Sequence, residues 1–86
     1  MNTLAKRVHN IAPDAVRLHF EGGDTVTLAM RSAEFFQESF QAEGVDGDTD
    51  TTFRLVTDGE DDPLLAARQT ASGWEIVGEV RDVEAA

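Results

Sequence analysis

The chain contains no cysteine and no tyrosine, a single lysine and a single tryptophan. Without cysteine there is neither a disulfide framework nor a zinc site built on thiolates, so apolar burial, with or without dimerisation, must hold the 86-residue fold together. No apolar run approaches the ~18 residues of a membrane-spanning helix. Nor does any stretch have the basic, apolar and small-residue order of a signal peptide. The expectation is a soluble cytoplasmic protein with no membrane partner. Repeats and linkers are missing as well, which predicts one small domain over residues 1–86 with 83–86 frayed.

Cations are scarce and unevenly placed. Residues 1–31 hold four basic groups against three acidic ones, whereas residues 32–86 hold three against fourteen, giving +1 and −11 within the whole-chain charge of −10. A field of one sign keeps a small protein apart from its copies and repels polyanions, so the few gathered cations mark the first surface to inspect. Six arginines to one lysine, abundant Asp, Glu, Thr, Val and Ala, and few bulky aliphatics match the composition of an extreme halophile. Dense carboxylates stay hydrated in concentrated salt, where a Debye length of ~3 Å at 1 M removes their mutual repulsion. High charge with modest hydrophobicity is also the signature of disorder. Here the apolar residues are patterned, which favours folding.

Leu4, Val8 and Ile11 recur at helical spacing, Asn2 or Thr3 can cap the segment, and Pro13 stops it, predicting a helix over 3–12; a strand over 6–11 is the rival. Val16, Leu18 and Phe20 then alternate with Arg17 and His19, and Val26, Leu28 and Met30 with Thr25 and Thr27. Joining them through a two-residue Gly22-Gly23 loop sends the apolar sets to opposite faces. A three-residue loop keeps them together, pairing Glu21 with Thr25, Phe20 with Val26, Leu18 with Leu28 and Val16 with Met30, and needs a left-handed glycine. After Ser32 the spacing of Ala33, Phe36 and Phe40, with Gly44 as a stop, predicts a phenylalanine-rich helix lying over the sheet. Strands are expected over 51–58, 63–70 and 74–81, the last with Trp74, Ile76, Gly78 and Val80 on one face. The predicted class is α+β: an antiparallel sheet of about five strands with a short N-terminal helix and one phenylalanine-rich helix on one face, in the order α-β-β-α-β-β-β.

No residue set specifies a reaction. Asp46, Asp48 and Asp50 begin like a calcium loop, but Thr51 and Thr57 stand where that motif needs glycine and the bidentate glutamate. Weak surface binding of cations is all this spacing offers. His9 and His19 have no ligand or triad spacing, Ser32, Ser39 and Ser72 have no nucleophile signature, and no phosphate loop opens a helix. No catalytic residue, metal ligand or cofactor site is assigned, and the protein is expected not to be an enzyme.

Lys6, Arg7, His9, Arg17, His19 and Arg31 are the candidate partner-binding residues. On a helix and an adjacent strand they form an electropositive island on an acidic body. The plain alternative is that these arginines pair with the chain's own carboxylates. As a nucleic-acid surface the island lacks stacking aromatics and has few cations, and salt weakens phosphate contacts steeply. The uncovered sheet face with Thr25, Thr27, Ala29 and Val77, and an edge near Val77, Val80 and Val83, offer a second route to a protein partner.

The run from Arg7 to Phe20, RVHNIAPDAVRLHF, followed by GGDTVTL, resembles small uncharacterised haloarchaeal proteins over less than a third of the chain. That resemblance implies no named activity. A helix followed by a strand pair is also similar to Sm-like RNA-binding barrels; the helix expected after Met30 and the missing late glycine-containing signature depart from that pattern, and no binding residue carries over. The reading is a noncatalytic interaction or regulatory module of a halophilic cytoplasm, binding a protein or a second copy. The alternative is a nucleic-acid-associated protein using Lys6, Arg7 and Arg17. The composition predicts a melting temperature that climbs from dilute buffer into molar KCl, and a melt indifferent to salt contradicts it.

Overall fold

The computed structural model describes residues 2–37, 39–59 and 61–86. Helix α1 (Thr3–Ile11) starts where Asn2 accepts the N–H groups of Leu4 and Ala5 through Oδ1, at 3.1 Å each. It buries Ala5 and Val8, with Leu4 and Ile11 partly covered, so the apolar stripe does face inward. The chain leaves through Ala12 and a cis Ala12–Pro13 peptide. The remaining elements are antiparallel strands: β1 (Val16–Phe20), β2 (Thr25–Phe36), β3 (Ser39–Asp46), β4 (Thr51–Thr57), β5 (Leu65–Thr70) and β6 (Gly73–Ala85). Among the described residues these six strands run in sequence order and close as a barrel through a β6–β1 pairing.

Two long strands make closure possible. β2 pairs with β1 through Thr25–Leu28 and with β3 from Ala29 onward; its register shifts between Met30 and Ser32. β6 pairs with β5 through Glu79 and with β1 from Val80 to Ala85. Both strands turn a corner of the barrel, and bulges supply the bend. Inward residues alternate: Val16, Leu18 and Phe20 on β1, Leu28 and Met30 on β2, Phe40 and Ala42 on β3, Phe53 and Leu55 on β4. Ala66, Val80 and Val83 complete the wall, and α1 packs against β6 and β2 with Val8 and Ala5 buried there.

The β1–β2 loop has three residues, Glu21, Gly22 and Gly23; the Phe20 N–H donates to the Asp24 carbonyl at 2.9 Å, the Gly23 N–H to the Phe20 carbonyl at 3.0 Å, and Gly23 stands at φ +94. Loop length, glycine geometry and the shared apolar face agree with the parity argument. The register does not: Leu18 faces Val26 and Val16 faces Leu28, two residues short of the predicted pairs, because the loop begins at Glu21 rather than Gly22.

The predicted phenylalanine-rich helix is replaced by a hairpin. Residues 32–36 continue β2 and 39–44 belong to β3, turning at Gln37 with φ 61; Glu38 lies outside the described residues. Alternation explains the outcome, since Ala33, Phe35, Phe40, Ala42 and Gly44 take one face while Glu34 and Phe36 take the other. Gly44 is no helix stop but a close-approach site: a Cβ there would lie 2.9 Å from Met30 Sδ, 3.1 Å from Leu28 Cβ and 3.2 Å from the Ala29 carbonyl oxygen. Among the described residues the strands thus number six rather than about five, with one helix rather than two, and the order is α-β-β-β-β-β-β. The segment 83–86, expected to fray, is tied down; Val83 is buried, Ala85 pairs with Val16, and Ala86 donates its N–H to the Ala15 carbonyl at 3.1 Å.

These corrections reverse which aromatic matters. Phe36, the expected lid residue, is 53% exposed, whereas Phe40 is fully buried and stacks on Phe35 at 4.8 Å between centroids. Phe40→Ala is expected to cost about 3–5 kcal/mol and Phe36→Ala less than about 1, measured by denaturant unfolding at one fixed KCl concentration.

Candidate functional site

The N-terminal cations meet carboxylates of the chain's last strand. Arg7 on α1 donates through Nη1 to Asp82 Oδ1 at 2.6 Å and to the Val83 carbonyl at 3.1 Å. Arg17 Nη1 and His19 Nε2 both reach Glu84 Oε1, at 2.9 and 3.1 Å, because β1–β6 pairing puts Arg17 opposite Glu84 and His19 opposite Asp82. The hydrogen bond with His19, and then that from Arg17, holds the Glu84 carboxyl below its ordinary value. His9 packs its ring 5.5 Å from that of Phe35. Lys6 and Arg31 are exposed and make no ion pair among the described residues. The structure therefore brings Arg7, Arg17 and His19 together around acidic groups and places Arg31 at the β2 bulge.

A different surface is left bare. Trp74, Ile76 and Val77 on the first half of β6 are 41%, 67% and 42% exposed. In register, Ile76 lies beside Ala67, and Ala67 beside Arg54, so an outward row crosses three strands. Arg54 spans its neighbours, standing 4.4 Å above the Trp74 ring and 3.6 Å from Glu43. On the other side of β6 the barrel seam ends early. The Glu21 N–H donates to the Glu79 carbonyl at 3.2 Å, and no β1 residue pairs with residues 73–78. Val80 and Val83, expected at an edge, are buried beneath that seam, and only Val77 stands beside the opening.

A cleft of about 440 Å³ occupies the opening, at the end of β1 away from α1. Phe20, Val26, Phe53 and Val77 form its apolar surface; Glu21, Asp24 and Glu79 stand among its lining. Neither histidine lines it. Asp46, Asp48 and Asp50 sit in the β3–β4 turn, where Asp46 Oδ1 accepts the Asp48 N–H at 3.0 Å. Among the described residues no group of three His, Asp or Glu side chains gathers to hold a metal. No helix among them is long and apolar enough to cross a membrane.

A family model described as Domain of unknown function (DUF8072) matches residues 1–86, and the chain belongs to that family. Neither the curated proteins nor the solved structures yield a match.

Trp74 and Ile76 were expected to share a face with Gly78 and Val80, and the register shift between Ala66 and Ala67 overturns this. It pairs Ala67 with Ile76 but Ala66 with Gly78, leaving Val77 as the extra residue. The adjacent pair Ile76-Val77 before a glycine is the local signal for such a bulge. Because folding lowers the pKa of Glu84, its stabilisation is present above the unfolded value and disappears as pH falls through the folded one. The melting temperature should exceed that of Glu84→Gln at neutral pH, with the gap closing in acid at constant KCl; a gap that persists in acid means Glu84 acts through packing.

Proposed function

We propose that this protein is a noncatalytic interaction module of a halophilic cytoplasm, and that it docks a protein partner through the first half of β6 rather than through its N-terminal cations. The observation that carries this reading is the adjacency of Trp74, Ile76 and Val77, all exposed, beside a strand edge that has no neighbour among the described residues. Scattered surface apolars need no explanation, but a tryptophan and an isoleucine projecting from one open strand are the composition of an interface centre. Arg7 and Arg17 are meanwhile turned toward Asp82 and Glu84. Releasing them for phosphates would leave those carboxylates facing the same polyanion, which disfavours a nucleic-acid role.

The composition of the chain supports the halophilic assignment. With net charge −10 and five arginines already in ion pairs among the described residues, association through charge alone is weak in molar salt, while burial of Trp74 and Ile76 is not screened. In affinity purification from a halophilic lysate at ~2 M KCl, the double variant Trp74→Ala/Ile76→Glu should lose the co-purifying protein. The double variant Arg7→Glu/Arg17→Glu should keep it, with circular dichroism confirming that both remain folded. The reverse pattern returns the site to the basic island, and recovery abolished by nuclease gives the role to nucleic acid.

A further inference from the structure

We infer that the cleft at the open end of the barrel is a peptide-binding groove whose occupant is an extended segment alternating basic and apolar residues, added as a strand to β6. The inference rests on the interaction-module reading and names the partner chemistry for the same edge. Three observations meet there. The first is backbone geometry: Thr70 and Gly73 flank a two-residue loop, so antiparallel alternation turns the N–H and C=O groups of Trp74 and Ile76 away from β5, toward the side where β1 has ended. Those groups are a template for one more strand.

The second is the cavity beside that edge. Its volume of about 440 Å³ holds one or two side chains, and Phe20, Phe53, Val26 and Val77 give them an apolar seat. A strand lying along β6 sends alternate side chains to opposite faces, so every second residue of the guest can enter the cleft. The third is charge. Glu21, Asp24 and Glu79 stand among the lining, and Arg81 approaches only the Glu21 carboxylate, at 3.5 Å. A guest carrying arginine or lysine beside its apolar residues complements this rim. A second copy of this chain does not, because its own edge carries the same Glu21, Asp24 and Glu79, and like charges set against each other at contact distance are the ones that salt screens least.

The only tryptophan of the chain lies on the proposed edge and there is no tyrosine, so intrinsic fluorescence reports the site directly. The probes are three synthetic hexapeptides: alternating arginine and valine, the same peptide with prolines at two arginine positions, and alternating glutamate and valine. The first should change Trp74 emission saturably and slow amide exchange at Trp74 and Ile76. The proline peptide should bind ~10-fold more weakly through its lost strand hydrogen bonds. The glutamate peptide should give no saturable change. Asp24→Lys/Glu79→Lys should weaken the basic peptide ~10-fold while leaving the melt cooperative. Equal binding of the proline peptide, or exchange protection on α1 instead of β6, overturns the inference. So does a concentration-dependent dimer in sedimentation that Ile76→Glu abolishes, which gives the edge to a second copy. If no peptide binds while the Trp74 and Ile76 variants still lose their partner from lysate, the peptide groove is wrong and the broader docking surface stands.

Discussion

Closure of the barrel depends on one strand serving two neighbours in succession. β6 leaves β5 at Glu79 and takes up β1 at Val80, and the change falls beside a glycine and a register shift. Gly78 faces inward where a side chain would come against the Phe20 ring; its virtual Cβ lies 3.7 Å from Cδ1. From this one corner follow the buried Val80 and Val83, the seat of α1, and the pairing of Arg17 and His19 with Glu84. Among the described residues, the same corner leaves 73–78 paired on one side only, with β5. The open edge and the cleft are thus consequences of how this barrel closes.

Charge plays a different part from the one that its distribution in the sequence suggests. The cations of the first third lie across the seam from the acidic end of the chain, and the β1–β6 register brings the two together. Such exposed pairs contribute little to stability, around 0–1 kcal/mol each, and less in concentrated salt. Their structural effect is on position: Arg7 links α1 to β6, and Glu84 bridges two residues of β1. At the other end, Arg54 lies over Trp74 and limits the exposed ring without removing it from solvent.

Where local period and neighbours in sequence decided the structure, the chain could be read directly. The spacing of Leu4, Val8 and Ile11 gives α1, and the alternation around Arg17 and His19 gives β1 with those two side chains outward. The stretch from Ala33 to Gly44 fits both periods, since Ala33, Phe36 and Phe40 make a helical stripe while Phe35, Phe40 and Ala42 make a strand face. Pairing of residues 40–46 with 51–57 resolves it, an interaction outside any local window. The candidate site divides the same way. That Arg17 and His19 point outward was readable; that Asp82 and Glu84 meet them depends on the β1–β6 register, and the exposure of Ile76 beside the Val77 bulge depends on the pairing with β5.

The rungs that complete the barrel join residues 16–20 to residues 80–85, almost the full span of the chain. On a ribosome this means that the first apolar strand waits for the last one to emerge. Until then Val16, Leu18 and Phe20 have only the neighbouring hairpin to shelter them, and β1 exposes a template to any passing strand. The acidic stretch from Asp46 to Asp62 is synthesised during that wait. Its carboxylates bind water whether or not the barrel has closed, so in concentrated salt, where repulsion is screened, the solubility of the unfinished chain rests on hydration.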